Sequence, residues 1–537
     1  MAPGSGIERC PRRTRVLIAG GGPVGLAAAV ELGRRGIDNV VIEPRAEVSH
    51  ARPRCKTVNP RTMEHLRRWG IADRLRERCP LPTSWSQDIV FCTSLTGYEI
   101  SRFTGVLGLV SDGDRFPELG QQAPQYLFEE LLREVVEELD ASTMVTGLRV
   151  AALRAGSEGA AVTVVSGSGE ELEIEADFVL GCDGPRSTVR EAIGASYVGE
   201  WALRPNFGIV FRSPQLWRQL RHGPAIQYWI VNADAGGLIG PLDREGTWWM
   251  GAFGVDAETG ERERERIIAD VVGRPLDVEV LSTDPWTARM QLVDRARIGP
   301  VLLAGDAAHL NPPFGGHGMN IGVGDAVDIG WKLAGVLEGW ADPGLLDTYE
   351  LERRPVQEQV IAEATSNMRV LSSDLLTPGI DSDGPAGAEA RRLAHDRIQE
   401  TKRAEFHALD LVLDLRYESA AISSSSSAAG SLAGARLPHA WLGGGDSIYD
   451  ELADGFTLLR LGGAGGLESG LVDAAARRGV PLRFVDLTRH GLAERYGTDL
   501  LLVRPDQHVA WSREGQGVDE SDVIERIRGA APARPEL

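Results

Sequence analysis

A glycine and an acid, Gly305 and Asp306, follow the short apolar run Val301 to Ala304 and precede a loop of unusual composition. This loop, Pro312 to Gly318, combines rigid prolines with glycines, so its backbone can approach a ligand closely. From Met319 the sequence turns helical. A glycine loop that leads into a helix N-terminus presents free N–H groups and the positive end of the helix dipole. The segment therefore predicts a site that stabilises developing negative charge, with a carboxylate beside it.

A second glycine loop lies near the start of the chain. The predicted strand Arg15 to Ala19 runs into Gly20-Gly21-Gly22-Pro23-Val24-Gly25, and a predicted helix follows from Leu26 to Arg35. The next strand, Asn39 to Ile42, ends at Glu43. Between a strand and a helix, the G-x-G-x-x-G spacing predicts dinucleotide binding. The pyrophosphate would lie at the helix N-terminus, and an acid about twenty residues further on would accept from ribose hydroxyls.

A third strand, within Ala176 to Cys182, ends at Asp183 and Gly184. The order and spacing of these three motifs resemble those of the class A FAD-dependent aromatic hydroxylases, the para-hydroxybenzoate hydroxylase-like flavoprotein monooxygenases. The resemblance covers roughly residues 15–370. That family has no separate NADPH-binding Rossmann domain, and the chain shows no second G-x-G-x-x-G.

The resemblance implies FAD as the bound cofactor. It implies that Asp306 binds the ribityl chain, that the backbone at residues 318–320 lies against the flavin pyrimidine edge, and that the Pro313 carbonyl faces the reacting flavin and the substrate. Arg54 and Gln125 match residues that contact FAD in the family. The candidate cofactor-binding residues are Gly20, Gly22, Pro23, Val24, Gly25, Glu43, Arg54, Gln125, Asp183, Gly184, Asp306, Pro313, Gly315, Gly318, Met319 and Asn320.

Between Asp183-Gly184 and Gly305-Asp306, the sequence predicts strands that carry aromatic residues: Phe207 to Phe211, Ala225 to Val231, Gly237 to Gly240 and Thr247 to Phe253. They would form a substrate-binding sheet over the flavin. A slip of one residue exchanges the two faces of a strand, so the sequence leaves open which aromatics line a pocket. The candidate substrate contacts are Gln227, Trp229 and Lys56, and the candidate catalytic residues are Pro313 and Tyr228.

Composition excludes several other classes. The chain has 537 residues, a net charge of −20 and five cysteines without a C-x-x-C pair. The acidic charge argues against a nucleic-acid partner, and the scattered histidines and cysteines predict neither a metal site nor a disulfide framework. Arg12-Arg13 precedes the apolar run Val16 to Val30, but glycines interrupt that run, so neither an export signal nor a membrane span is predicted. We expect a cytoplasmic enzyme, with a homodimer as one candidate assembly.

The expected fold is α/β, with a Rossmann-like FAD-binding domain, an inserted β-sheet domain and a C-terminal domain. The resemblance identifies the last as the thioredoxin-like domain of larger family members, and it contains no cysteine, which excludes thiol–disulfide chemistry. The predicted boundaries are 14–80, 116–190 and 286–400 for FAD binding, 81–115 and 191–285 for substrate binding, 401–435 for a linker and 436–532 for the thioredoxin-like domain.

The resemblance implies a monooxygenase that uses FAD, NADPH or NADH, and O2 to hydroxylate an aromatic small molecule, phenolic or polycyclic, through a flavin C4a-hydroperoxide. One alternative is a Baeyer–Villiger insertion or an oxidative decarboxylation on the same scaffold, which would give a ring-opened or decarboxylated product. Another is a non-catalytic FAD-binding partner protein, which would hold flavin that NADPH does not reduce.

Overall fold

A computed structural model of the chain describes residues 6–53, 56–370, 372–422, 431–463, 466–513 and 519–530, with the backbone alone at 201–203 and 372–373. In chain order the strands are β1 (Arg13–Ala19), β2 (Asn39–Glu43), β3 (Thr57–Val58), β4 (Ile89–Cys92), β5 (Glu99–Phe103), β6 (Gln121–Gln122), β7 (Ser142–Thr146), β8 (Leu148–Ala155), β9 (Ala160–Ser166), β10 (Glu171–Gly181), β11 (Tyr197–Arg212), β12 (Gln227–Val231), β13 (Gly236–Pro241), β14 (Thr247–Phe253), β15 (Glu279–Val293), β16 (Arg297–Ile298), β17 (Val301–Leu303), β18 (His309–Leu310), β19 (Trp441–Gly443), β20 (Asp446–Ser447), β21 (Phe456–Arg460), β22 (Leu482–Asp486), β23 (Leu500–Val503) and β24 (Val509–Ser512). The α-helices are α1 (Pro23–Gly33), α2 (Pro60–Arg68), α3 (Ala72–Arg78), α4 (Gln125–Glu137), α5 (Thr188–Ala192), α6 (Ala257–Val272), α7 (Gly318–Glu338), α8 (Thr348–Met368), α9 (Gly384–Phe406), α10 (Leu409–Leu413), α11 (Leu467–Arg478), α12 (Ala493–Tyr496) and α13 (Glu520–Ile527).

The first large sheet is the predicted nucleotide-binding sheet. Its strands run in the order β16-β17-β10-β1-β2-β7, and β17, β10, β1, β2 and β7 are parallel. The strand β9 pairs antiparallel with the first half of β10, and β8 pairs with β9. Parallel strands are covered on both faces, and the apolar run of β1 is accordingly buried beneath α1 and α7. The Rossmann-like part of the predicted fold is confirmed.

The second large sheet, in the order β18-β15-β11-β14-β13-β12-β4-β5, is the predicted aromatic sheet. One face packs on α6, whose Ile268 and Val271 contact that core, and the other packs on α9 through Ile398 and Phe406. The predicted domain boundary at residues 285–286 falls inside the unbroken strand β15. The strand β18 belongs to this sheet, because His309 pairs with Leu292. The division into domains stays a prediction.

The predicted linker at 401–435 is wrong over its first part. The helix α9 continues to Phe406, and α10 follows directly. Ala390, Ala394 and Ile398 recur at four-residue spacing and are buried, and Ala394 and Ile398 pack against the core of the second sheet, so packing stabilises a helix that also carries many charged residues. The serine run Ser423 to Ser427 lies outside the described residues. The helix α8 continues through Pro355.

The C-terminal unit has the sheet order β22-β21-β23-β24, with β21 and β22 parallel and the other pairs antiparallel. The helices α11 and α13 pack on the sheet, as expected for a thioredoxin-like fold. Its core is continuous with the end of α7, because Phe456 packs at right angles against Trp331 and Trp340.

Candidate active site

The carboxyl ends of four parallel strands meet at one edge of the first sheet. Ala19 pairs with Ile42 on one side and with Gly181 on the other, and Gly181 pairs with Leu303. The turns that follow these strands carry the three sequence motifs. Ligands of open α/β sheets bind at this edge, so the motifs converge as the sequence predicts.

The first glycine loop combines close packing with open space. Gly20 has φ +101°, and a Cβ there would lie 2.4 Å from the Cys182 carbonyl oxygen. A Cβ at Gly25 would lie 2.0 Å from the Gly20 oxygen, whereas one at Gly22 would meet nothing within 4 Å. The helix α1 begins at Pro23, directly after this open position. The loop therefore fits a pyrophosphate at the N-terminus of α1.

Glu43 extends this site along the edge. Its carboxylate accepts hydrogen bonds from the Gly21 N–H at 2.8 Å and from Arg45 Nε at 2.7 Å. Arg45 also lies 3.7 Å from Glu129, which accepts a 2.7 Å hydrogen bond from Gln125. A series of polar contacts thus connects Gln125 to Glu43 through Glu129 and Arg45. Burial raises the pKa of Glu129.

Arg54 lies outside the described residues, so its predicted contact stays a prediction.

Asp183 reaches the edge, but its carboxylate accepts from the Ser187 hydroxyl and from the Val189 N–H at 3.2 Å. Burial raises the pKa of Asp183. Gly184 has φ +80° and continues the same turn. Asp183 therefore shapes the turn into α5.

Asp306 is exposed although its neighbours Gly305 and Ala307 are buried. Gly305 has φ +58° and packs so tightly on Val24 that a Cβ would lie 2.7 Å from it. The Tyr197 hydroxyl donates to the backbone carbonyl of Asp306. The turn is rigid, and it presents the Asp306 side chain at the surface of the edge, as a ligand-binding carboxylate requires.

Asp325 supports this turn from inside the protein, a role that the sequence did not reveal. Its carboxylate accepts from the Gly305 N–H at 3.2 Å and from Arg353 Nε at 2.8 Å, and it lies 2.8 Å from His309 Nε2. Burial alone would raise the pKa of Asp325, but Arg353 and His309 lower it to about 2. The available signal was an acid within a mostly apolar helix.

The second glycine loop begins with a 3-10 turn, Phe314–Gly316. Gly315 has φ +81°, and the buried His317 ring lies beneath it, 2.4 Å from where a Cβ would be. Burial lowers the pKa of His317 to about 4. His317 is therefore neutral at pH 7, as suits a residue beside the positive end of α7.

Asn320 fixes the start of α7 to the segment before α2. Its side-chain oxygen accepts from the Asn59 N–H at 3.0 Å and from the Thr62 hydroxyl at 2.8 Å. Its side-chain nitrogen donates to the Thr57 carbonyl at 2.9 Å. The side chain is fully used within the protein, so only the backbone of Gly318–Asn320 is left for the predicted flavin contact.

An aromatic wall forms where this loop meets the second sheet, from Phe314 of the loop and from Trp229 and Phe253 of the sheet. The Phe314 ring centroid lies 6.0 Å from that of Trp229 and 5.8 Å from that of Phe253. Pro313 directly precedes Phe314, so the predicted catalytic carbonyl lies at the junction of loop and wall. Gln227 shares the strand face of Trp229, because side chains two residues apart point the same way.

Tyr228 points to the opposite face of β12. It is buried beside Trp248 and the helix α6. Its hydroxyl donates to the Gly223 carbonyl at 2.6 Å and accepts from the Ala225 N–H at 2.9 Å. The interpretation of Tyr228 as a catalytic residue is therefore wrong, because its polar atom closes the turn before the strand.

Lys56 is buried beneath β12 and β13. Its ammonium group donates to the carbonyls of Ile226 and Pro241 and lies 5.5 Å from the Trp249 ring. The structure thus brings Lys56 to the sheet that carries Trp229, and its contact with a substrate stays a prediction.

These features define an α/β nucleotide-binding protein with a second, aromatic-rich sheet: a nucleotide-binding edge, an exposed acid on a tight turn, and a glycine loop beside aromatic rings. Residues 13–364 match the family described as FAD binding domain, and residues 430–531 match the family described as aromatic-ring hydroxylase, C-terminal. The chain belongs to the FAD-dependent aromatic-ring hydroxylases.

Individual proteins with similar sequences or structures support this family assignment. An FAD-dependent monooxygenase, apdD, of Emericella nidulans is 31% identical over 95% of this chain and 89% of its own length. Phenol 2-monooxygenase of a Pseudomonas species is 28% identical over 98% and 94%. The structure of the rebeccamycin biosynthetic enzyme RebC with reduced flavin is 33% identical, with a TM-score of 0.88 over 97% of this chain and all of that one. Within the described ranges, no helix is both long and apolar enough to cross a bilayer.

Proposed function

We propose that the enzyme uses NADPH or NADH and O2, with FAD, to add one oxygen atom to a phenolic or polycyclic aromatic substrate. The observation that carries this proposal is the meeting of the loop Phe314–Gly316 with the Trp229 and Phe253 rings at the edge that carries Asp306. One relative is named for phenol and one structural neighbour for rebeccamycin biosynthesis, which supports an aromatic substrate.

Bound FAD supplies electron transfer and oxygen activation, which protein side chains do not supply. The open position at Gly22 and the N-terminus of α1 would hold the pyrophosphate, and Glu43 the ribose. Asp306 would hold the ribityl chain. The backbone N–H groups at Gly318–Asn320 would stabilise negative charge on the ring system, because they lie at the positive end of the 21-residue helix α7.

The aromatic wall would do two things. It would stack the substrate ring, and it would exclude water from the reaction. The rings of Trp229, Phe253 and Phe314 are buried and tilted toward one another, which suits a dry chamber.

We also propose a cytoplasmic location, supported by four unpaired cysteines among the described residues. The homodimer stays a prediction.

The test is anaerobic reduction of the bound flavin by NADPH, with and without phenols and polycyclic quinols. We expect one substrate class to accelerate bleaching of the flavin absorbance, and the product formed in air to carry a new ring hydroxyl. A ring-opened or decarboxylated product would favour the Baeyer–Villiger or decarboxylase alternative. Flavin that NADPH and NADH leave oxidised with every compound would favour the non-catalytic partner protein.

A further inference from the structure

Lysine is rare in this chain and always buried. Of 57 lysine and arginine residues, three are lysine: Lys56, Lys332 and Lys402. All three side chains are buried, whereas arginines supply the surface cations. A buried lysine is exceptional unless it is paired. Each therefore indicates a position where the fold or the chemistry needs a compact ammonium group rather than a guanidinium.

All three ammonium groups have hydrogen-bond partners within the protein. Lys332 donates to Asp328 and Glu352, each at 2.8 Å, within a buried ionic cluster. Lys56 bonds strand carbonyls. Lys402 differs because it reaches the aromatic wall: its nitrogen lies 4.5 Å from the Trp229 ring and 5.8 Å from the Phe314 ring.

The partners of Lys402 on α8 and α9 do not use all of its hydrogen-bonding capacity. Its ammonium group donates to the Asn367 carbonyl at 2.9 Å and to Glu405 at 2.8 Å, so two of its three N–H bonds have these partners. Burial raises the pKa of Glu405, which weakens that carboxylate as a counter-charge. The Trp229 indole N–H has no hydrogen-bond partner among the described residues. The wall thus carries a cation and a second donor, which matches an anionic oxygen.

We propose that Lys402 binds the anionic oxygen of the aromatic substrate, a phenolate or a ring carboxylate, at the wall formed by Trp229 and Phe314. This inference rests on the proposed function and names its substrate class. The substrate binds already ionised, so no protein group has to accept its proton. A phenolate is more electron-rich than the neutral phenol, which favours attack of its ring on an electrophilic oxygen. Lys402 therefore selects ionised aromatics over neutral ones of the same shape.

The probe is 4-nitrophenol, because its phenolate absorbs visible light and its neutral form does not. It is titrated into the oxidised FAD-loaded protein without reductant, at a pH where both forms are present, and its neutral methyl ether, 4-nitroanisole, is titrated in parallel. We expect wild type to bind the phenolate and to prefer it to the ether at least tenfold. Lys402→Met should lose at least tenfold in phenolate affinity and bind the ether unchanged. Arg392→Met, on the exposed side of the same helix, should behave as wild type.

A second variant keeps the test decisive if Lys402→Met does not fold. Glu405→Gln removes the carboxylate that competes for Lys402, so it should tighten phenolate binding severalfold. The proposal would be overturned if wild type bound phenolate and ether equally well or bound neither. It would also be overturned if Glu405→Gln bound the phenolate more weakly, or if a folded Lys402→Met kept the phenolate affinity of wild type. Binding is measured without NADPH, so failure of flavin reduction would refute the proposed function while leaving a Lys402-dependent phenolate site intact.

Discussion

Asp325 and Gly305 are joined by a 3.2 Å hydrogen bond from the Gly305 N–H to the Asp325 carboxylate, at the point where the strand β17 gives way to the turn that carries Asp306. Asp325 is fully buried and also bonds Arg353, so the turn is held from below by a fixed ion pair. The exposed acid that would meet the cofactor is thus positioned by a buried acid on α7.

This relationship predicts that substitution of Asp306 weakens FAD binding alone, whereas substitution of Asp325 weakens both FAD binding and the fold. Asp306→Ala should raise the FAD dissociation constant about 10- to 100-fold, because one charged hydrogen-bonding group is lost, while the melting temperature of the apoprotein barely changes. Asp325→Asn should lower the FAD affinity. It should also lower the free energy of unfolding by about 3 kcal/mol, because Arg353 keeps a buried charge without its partner. Flavin absorbance after gel filtration and thermal melting of the apoproteins measure both. Stoichiometric flavin in Asp306→Ala would contradict the site.

Tyr228→Phe tests the corrected role of that hydroxyl. We expect the rate of substrate-dependent NADPH oxidation to change less than about twofold, whereas loss of a general acid or base costs about 100-fold or more. The variant should lose about 1–2 kcal/mol of stability, because the buried Gly223 carbonyl and Ala225 N–H lose their partner. A large loss of rate with unchanged KM and melting temperature would restore Tyr228 as a catalytic residue.

The C-terminal unit should stabilise the flavin domain through Arg504. This buried guanidinium donates to Glu352 at 2.8 Å and to Asp328 at 3.0 Å, so it links β23 to both α7 and α8. Arg504→Met should destabilise the protein by about 3–5 kcal/mol, because Asp506 loses its ion pair with Arg504 and the buried Asp328 and Glu352 are left to share the single cation Lys332. The control is Arg460→Met, which removes a surface pair with Asp486 and should melt as wild type. Equal melting temperatures of the two variants would contradict the link.

His317 should make the apoprotein sensitive to acid. Its pKa is about 4 in the folded protein against 6.5 for an ordinary histidine, so the unfolded chain binds more protons between these values. The free energy of unfolding therefore falls as the pH drops through this window, by up to about 3 kcal/mol from this residue. Burial raises the pKa of Asp328, which acts in the opposite direction. The comparison with His317→Gln isolates the histidine.

The measurement is the melting temperature of the two apoproteins at pH 7 and pH 4.5. The loss on acidification should be smaller in His317→Gln than in wild type. Equal losses would show that His317 is not a buried neutral group.

The motif loops could be predicted from the sequence because each lies within one strand–loop–helix unit, where spacing alone fixes the geometry. Glu43 and Asp306 were found in this way. Asp325 could not be assigned its role, because its partner Arg353 lies 28 residues further along and the contact depends on how α7 packs on α8. FAD contacts of individual residues, and the use of NADPH or NADH, stay predictions.

The aromatic sheet shows a second limit. Tyr228 and Trp229 are adjacent in sequence, and only the positions of α6 and α9 decide which of them faces the flavin loop. The helix α9 was itself missed, because small and charged residues alternate along it and its buried stripe is short. Since Lys402 lies on that helix, the sequence offered no way to bring it to Trp229.

The burial of all three lysines has a practical consequence for handling the enzyme. Amine-reactive dyes and cross-linkers modify exposed ε-amino groups, and in the folded protein those of Lys56, Lys332 and Lys402 are shielded. Side-chain labelling by such reagents will therefore report unfolding of the protein rather than its surface topography. Attachment to a surface or a probe will need arginine- or carboxylate-directed chemistry instead.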